Sequence, residues 1–398
     1  MTPETMEDIN VSDNFDWKTT TESTVNLPEN RELDSTAIYI VDDERVYYKG
    51  PAIRDNYPVV IPSYADEGKL KVMDYNPFDP STQDKKGNDS DGDGINDNKD
   101  DFPNDPNKAF VNYYPASGHG TIVYEDLWPS KGDYDFNDMV LDYQFETITN
   151  ASDHVVTVNA EIVVRAAGAG YHNAFAFEFP SVAPGDVHNV SGYQVNDPVF
   201  NISSNGTEAN QTNLNVVVFD DVFDVLQHTG GGTGINVDHS MAYVQPETLQ
   251  VSMEFMQNGV AAGATPISTW DLNIGDFNPY LIANVSGEGR GREVHLPGQT
   301  PSDLADVSYF NTNDDDTDNS VYNSIQQAQN SKSLVAKSYE TEDNYPWALS
   351  FYDSFDYMIE KNSIVKGYKK FYKWAENGSN SNWYKVDNSS FRDDQYIY

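Results

Sequence analysis

The chain of 398 residues carries 64 Asp and Glu against 24 Lys and Arg, a formal net charge of −40. A polyanion this strong lacks the surplus of cations needed to displace counterions from phosphates, which excludes nucleic acid as a partner, and anionic membrane surfaces repel it. No apolar run of roughly 18 residues occurs, so no transmembrane segment is expected, and an aromatic content of 13% argues for a folded chain.

There is no cysteine. Thiolate metal sites are therefore impossible, and any bound metal must be a hard cation held by carboxylate, amide, carbonyl or imidazole groups. The N-terminal stretch beginning Met1-Thr-Pro-Glu-Thr-Met has neither a basic region nor an apolar core. The acidic, Asn-, Tyr- and Thr-rich composition favours an exported protein whose signal is absent from this chain. Length alone suggests two or three domains.

In chain order, residues 1–75 read as short strands. Thr24-Val-Asn-Leu, Ala37-Ile-Tyr-Ile-Val, Arg45-Val-Tyr-Tyr, Pro58-Val-Val-Ile and Lys69-Leu-Lys-Val-Met are β-rich and bounded by Asp, Asn, Gly and Pro. A small immunoglobulin-like sandwich is expected there. Residues 76–109 form an Asp-rich connector with few apolar residues and no core of its own. From residue 110 to the end the strand pattern returns. Leu249-Gln-Val-Ser-Met-Glu-Phe alternates strictly, and Val158, Ala160, Ile162 and Val164 share one strand face. Ala174-Phe-Ala-Phe-Glu-Phe and Val216-Val-Val-Phe are further strands. The fold class predicted is mainly β: a larger antiparallel β-sandwich or jelly roll. Ile364, Tyr368, Phe371, Tyr372 and Ala375 form an apolar stripe that predicts one C-terminal helix ending at Gly378. Its lysines, at 366, 369, 370 and 373, are expected to face solvent or the acidic sandwich, and its aromatic residues to pack onto the sheet.

The strongest chemical signal is Asp89-Ser-Asp-Gly-Asp-Gly-Ile-Asn-Asp-Asn-Lys-Asp. Asp89, Asp91, Asp93, Asp97 and Asp100 occupy positions 1, 3, 5, 9 and 12 of a loop, with Gly94 at the sharp turn and the Ile95 carbonyl at position 7. Calcium takes six to eight oxygens, and this spacing wraps one short loop around it. Without a cation the carboxylates would repel one another. Asp rather than Glu stands at position 12, and flanking prolines at 77, 80, 103 and 106 forbid two framing helices. The loop thus departs from an EF-hand. It resembles the thrombospondin type 3 calcium repeats of bacterial surface proteins, in which an Asp-rich loop is followed by a turn like Asp100-Asp-Phe-Pro. That resemblance implies a calcium-stiffened linker.

A second cluster comprises Glu125, Asp126, Asp133, Asp135, Asn137 and Asp138, with Trp128, Tyr134 and Phe136 between the acids. The 133, 135, 137 spacing repeats the 1, 3, 5 pattern. The residues fit a metal-bound turn, and also fit a hydrogen-bonded Asx-rich turn at a sandwich end or a pair of catalytic carboxylates.

The stretch Tyr124-Glu-Asp-Leu-Trp-Pro-Ser-Lys-Gly-Asp-Tyr-Asp-Phe-Asn-Asp-Met-Val-Leu-Asp-Tyr resembles the signature of LruC-type domains. Arg292-Glu-Val-His-Leu-Pro-Gly-Gln-Thr-Pro-Ser-Asp-Leu, Pro346-Trp-Ala-Leu and the segment from Glu360 to Ala375 are similar too. Asn14-Phe-Asp-Trp-Lys-Thr-Thr resembles the start of a small domain that often precedes such modules. Phe351-Tyr-Asp-Ser-Phe-Asp-Tyr departs from the Pro-bearing version. The resemblance implies an exported, often lipid-anchored envelope protein of a Gram-negative bacterium, β-rich and surface-exposed, with no defined activity.

Weaker features are the pair Glu293 and His295, expected on one strand face as a structural pair, and Asn313-Asp-Asp-Asp-Thr-Asp-Asn, an acidic loop that could hold a cation. Gly230-Gly-Gly-Thr-Gly lacks the Lys-Ser/Thr of a phosphate loop and is expected as a flexible tip. No nucleophile motif or metalloprotease motif is present, which points away from an enzyme, although two carboxylates would suffice for a glycosidase. The expected role is a calcium-stabilised cell-surface binding or adhesion protein with a glycan or protein ligand. The alternatives are a structural subunit of a surface filament or envelope complex and a carbohydrate-active enzyme.

Overall fold

The computed structural model describes residues 3–27, 37–83, 87–168, 170–227, 234–317 and 338–398. The glycine-rich tip at 230–233 and residues 318 and 319 of the acidic loop lie outside them.

The N-terminal strands form two small sheets. β1 (Thr20–Asn26) pairs antiparallel with β4 (Asn56–Pro62), and β2 (Ile38–Val41) lies between β3 (Val46–Gly50) and β5 (Lys71–Met73). Their shared core is Leu27, Ile38, Ile40, Tyr48, Tyr57, Val59 and Ile61. The alternation of Tyr57, Val59 and Ile61 along β4 explains why one face is buried and Asn56 and Pro58 stay exposed. Among the described residues of the connector before the acidic loop, the regular structure is a 3-10 turn at Pro80–Gln83, and the prolines disfavour a longer helix there.

The larger body is a sandwich of two antiparallel sheets. One holds β11 (Asn189–Ser191), β13 (Glu247–Glu254), β9 (Val155–Ala166), β8 (Met139–Thr149), β7 (Gly120–Tyr124) and β18 (Ala348–Phe351) in that order. β6 (Phe110–Tyr114) pairs with the far end of β8, in line with β7. The other sheet holds β12 (Leu214–Phe219), β10 (Ala174–Phe179), β16 (Asn278–Ile282) and β17 (Glu293–His295). A minimal hairpin, β14 (Met256–Gln257) with β15 (Val260–Ala261), sits apart. Period-2 patterning puts Leu141, Tyr143, Phe145, Val158, Ala160, Ile162, Val164, Leu249, Val251 and Met253 on the inner face of the first sheet. Phe175, Phe177, Phe179, Val216, Val218 and Leu281 meet them from the second. Burial of each large apolar side chain contributes about 1.5–3 kcal/mol.

The outer faces are covered as well. Over the β7–β18 edge, Met6, Ile9, Val11 and Trp17 pack with Leu349, Phe351, Phe355, Tyr368, Phe371, Trp374 and Trp383. Here the predicted C-terminal helix needs correction. Two short helices, Ile364–Gly367 and Phe371–Asn377, are separated by Tyr368, whose backbone is extended. The break lets Tyr368 donate its hydroxyl to the Asp356 carbonyl at 2.6 Å and stack on Phe355. Ile364, Tyr368, Phe371 and Ala375 of the stripe are buried and Tyr372 is half-buried against the same cluster, and Gly378 ends the second helix in a left-handed conformation.

The outer face of the second sheet buries a polar network instead. The Arg290 guanidinium pairs with Glu208 at 2.6 Å and with Glu293, and His295 Nε2 lies 2.8 Å from Glu293 Oε2. The pair Glu293 and His295 is thus a structural one, and Arg290 holds Glu293 well ionised despite its burial. On the same face Glu178 accepts from Asn213 at 2.6 Å and Asn215 at 3.4 Å, makes no ion pair among the described residues, and burial pushes its carboxyl up to about 7. The folded state therefore keeps this proton to higher pH than the unfolded chain. Stability declines as pH rises from about 4.5 to about 7 and carries a constant penalty above, at most about 3 kcal/mol. Glu178→Gln can keep the short bond from Asn213. It should raise stability in urea at pH 8 by about 1–2 kcal/mol, with the gain vanishing near pH 4.5. A gain independent of pH would contradict the assignment.

Candidate metal centres

In the connector loop Asp89, Asp91 and Asp93 come together, while Asp97 is bonded to Ser90. Gly92 and Gly94 take positive φ, 82° and 99°, which L-residues rarely adopt, and the chain turns tightly between the acids. Asp89 accepts from the amides of Gly92 at 2.7 Å and Gly94 at 3.1 Å, Asp91 from Asp93 at 3.2 Å, and Asp93 from Ile95 at 2.8 Å. Carboxylate oxygens of Asp89, Asp91 and Asp93 all lie within 4.8 Å of one another. Asp100 accepts from the Phe102 amide at 2.7 Å through one oxygen. The second oxygens of Asp91, Asp93 and Asp100 are buried and receive no hydrogen bond. Asp100 as a residue is only 7% exposed. Burial, then the charges of Asp93 and Asp91, push its carboxyl up to about 7. Buried acceptors without donors are rare in native proteins, and here three of them belong to one loop.

Asp97 is placed across the loop, with both oxygens occupied by Ser90, from the amide at 2.8 Å and the hydroxyl at 2.7 Å. Ile95 buries its side chain against Ala37, Ala109 and Phe110 and so anchors the loop to both bodies. Asp101 extends this anchoring. It takes Lys49 Nζ of β3 at 2.7 Å and the Val111 amide of β6 at 2.8 Å.

The second cluster lies in the connection between β7 and β8. Glu125, Asp126 and Asp135 are each 1% exposed, and Asn137 is fully buried. Tyr134 and Phe136 adopt positive φ, 59° and 52°, an unusual conformation for bulky residues that their buried rings hold in place. Oxygens of Glu125, Asp133 and Asp135 lie within 4.8 Å of one another. Glu125 accepts from the Phe136 amide at 2.8 Å, Asp135 from the Lys361 amide at 2.6 Å, and Asp138 from the Asp126 amide at 2.9 Å. Asp126 accepts from Asn173 at 2.8 Å. The Asn137 carbonyl oxygen is buried without a donor, while its amide reaches the Met358 carbonyl at 3.2 Å. Among the described residues no Lys or Arg side chain makes an ion pair with Glu125, Asp126, Asp133, Asp135 or Asp138. Burial first, then their mutual charge, push Glu125 and Asp138 well above the carboxylate range and Asp135 up to about 8.

Three participants were not evident from spacing. Gly132 faces Glu125, whose Oε2 lies 1.6 Å from where a Cβ would stand. Glu360 faces Asp133, which raises its carboxyl after burial does. Lys361 contributes its backbone amide. Only the Gly132-Asp133 pair carried a sequence signal. The acidic loop near 315 is different: Asp315 is satisfied by the Trp128 indole at 2.8 Å and the amides of Asn311 and Thr317 at 2.8 and 3.0 Å.

Fold and sites define an antiparallel β-sandwich protein with one carboxylate cluster in an interbody connector and another in a hairpin loop. The chain belongs to the family described as "Domain of unknown function (DUF4842)", whose model matches residues 153–384. No curated protein matches it. It shares its fold with a solved structure described as a "Putative lipoprotein from Bacteroides ovatus", at 14% sequence identity and a TM-score of 0.50, over 96% of this chain and 93% of that one. Among the described residues no helix is long and apolar enough to cross a membrane.

Proposed function

We propose that this is an exported, non-catalytic binding protein of the bacterial cell surface whose two β bodies are held in fixed orientation by calcium. The observation that carries the reading is the set of buried, donorless oxygens on Asp91, Asp93 and Asp100 beside Asp89. A hard cation is the partner such oxygens lack. The likeness of residues 89–103 to thrombospondin type 3 repeats and of residues 124–143 to LruC-type domains agrees with it. So does the description of the protein of shared fold as a lipoprotein. A structural ion is favoured over a catalytic one because the acids of the connector loop are pinned by backbone amides. The hairpin-loop cluster is a second cation position under the same reading, with Glu125, Asp133, Asp135 and the Asn137 oxygen as its donors.

The connector is the point at which the ion acts. Asp100 ends the loop and Asp101, its neighbour, ties β3 to β6. Elemental analysis of exhaustively dialysed protein should find calcium near two ions per chain. Replacing Asp91 and Asp93 by Asn should lower that by one and speed limited proteolysis between residues 87 and 105 on the order of tenfold, since opening of the loop governs cleavage. Metal-free protein with unaltered cleavage would refute the proposal.

A further inference from the structure

Between the small and large β bodies runs a shallow groove of two adjoining lobes. Val60, Tyr114 and Gly275 line both lobes and form the waist between them. The bodies touch there: a Cβ on Gly275 would lie 2.4 Å from Val60 Cγ2, so only glycine permits this approach. The first lobe is aromatic. Tyr47, Tyr113, Trp270 and Tyr352 face it. Trp270 is 47% exposed and Tyr113 44%, which is unusual for rings of this size in a molecule that buries most of its aromatics. Arg54 lies 5.4 Å from the centre of the Trp270 ring and steadies the indole by a cation–π contact. The second lobe is polar, with Asp16, Lys18, Glu22, Asp276 and Gln299 on its walls. Asp276 and Glu22 are close enough that Glu22, after burial, raises the Asp276 carboxyl.

We infer that this groove binds a neutral oligosaccharide, with pyranose rings against Trp270 and Tyr113 and sugar hydroxyls donating to Glu22 and Asp276. The assignment deepens the surface-binding reading above and rests on it. A ring face and a cluster of carboxylate acceptors side by side match a ligand that is apolar on its C–H faces and rich in O–H donors at its rim. Three acids against one lysine in the polar lobe repel uronic acids, sulfated sugars and phosphates, as does a chain of net charge −40. Glu22 and Asp276 stand on the same lobe, so both can accept from the hydroxyls of one bound sugar.

The test is affinity electrophoresis of the full chain in native gels cast with dextran, galactomannan, xyloglucan or alginate, in calcium. Retardation is expected in at least one neutral gel and not in alginate. Trp270→Ala and Tyr113→Ala, both at exposed rings, should each weaken it on the order of fivefold to tenfold while the melting temperature stays put. No retardation in any neutral gel, retardation in alginate alone, or a Trp270→Ala variant bound like the wild type would overturn the inference. Melting the same samples in EDTA separates the two claims. A chelator shift without sugar binding removes the groove assignment only, and sugar binding without a chelator shift leaves it standing and removes the calcium.

Discussion

Chelation of divalent cations should lower the thermal unfolding midpoint of the protein by roughly 5–15 °C. An ion bound at 100 to 1,000 times its dissociation constant stabilises the folded state by about 2.7–4.1 kcal/mol. In a unit of 150–250 residues each kcal/mol moves the midpoint by about 2–4 °C. The shift arises because removal of the ion leaves the second oxygens of Asp91, Asp93 and Asp100 buried, mutually repelling and without donors. Asp89 makes two bonds to loop amides, so the loop backbone is already shaped before an ion arrives. The loss on chelation is therefore electrostatic more than conformational. Calcium should restore the midpoint, and magnesium less well, since magnesium demands stricter octahedral geometry and dehydrates reluctantly. Differential scanning calorimetry in calcium, in EDTA and after readdition measures it. Superimposable traces would remove the ion from the fold.

The strands with one covered face were legible in the sequence, because burial on one side writes a period of two into Val158–Val164 and Leu249–Met253. β10 and β12 were legible as apolar runs. That both their faces are covered was not, since the cover comes from aperiodic segments carrying Phe200 and Val285. The C-terminal stripe showed which residues are buried but not the interruption at Tyr368, which tertiary bonds impose. At the sites, acids spaced two apart within one loop were readable, because a short loop must bring them together. The contributions of Glu360 and the Lys361 amide were not. They come from more than 200 residues beyond Asp135 and reach it only because the C-terminal segment docks on the β7–β8 loop. The groove is illegible for the same reason, as its walls come from both β bodies.

Glu125→Gln should change sign with calcium. In the hairpin-loop cluster Glu125, Asp133 and Asp135 converge, and among the described residues no basic side chain is paired to them. If a cation sits among them, the glutamine loses a charged ligand, and the variant should be less stable than the wild type in calcium by about 1–3 kcal/mol. In EDTA the same change removes one of several mutually repelling buried charges, so the variant should be the more stable of the two. Gly132→Ala is the steric counterpart. Its Cβ would stand 1.6 Å from Glu125 Oε2 and 2.7 Å from Cδ, so the carboxylate must swing away and abandon the Phe136 amide. A loss of about 2–4 kcal/mol and one fewer bound ion per chain are expected. A Glu125→Gln protein more stable than the wild type with and without calcium would mean that protons, not a cation, reconcile these carboxylates. The docking of residues 358–364 on this loop would then rest on the bonds from the Lys361 amide to Asp135, from the Ile364 amide to the Tyr134 carbonyl and from the Asn137 side chain to the Met358 carbonyl.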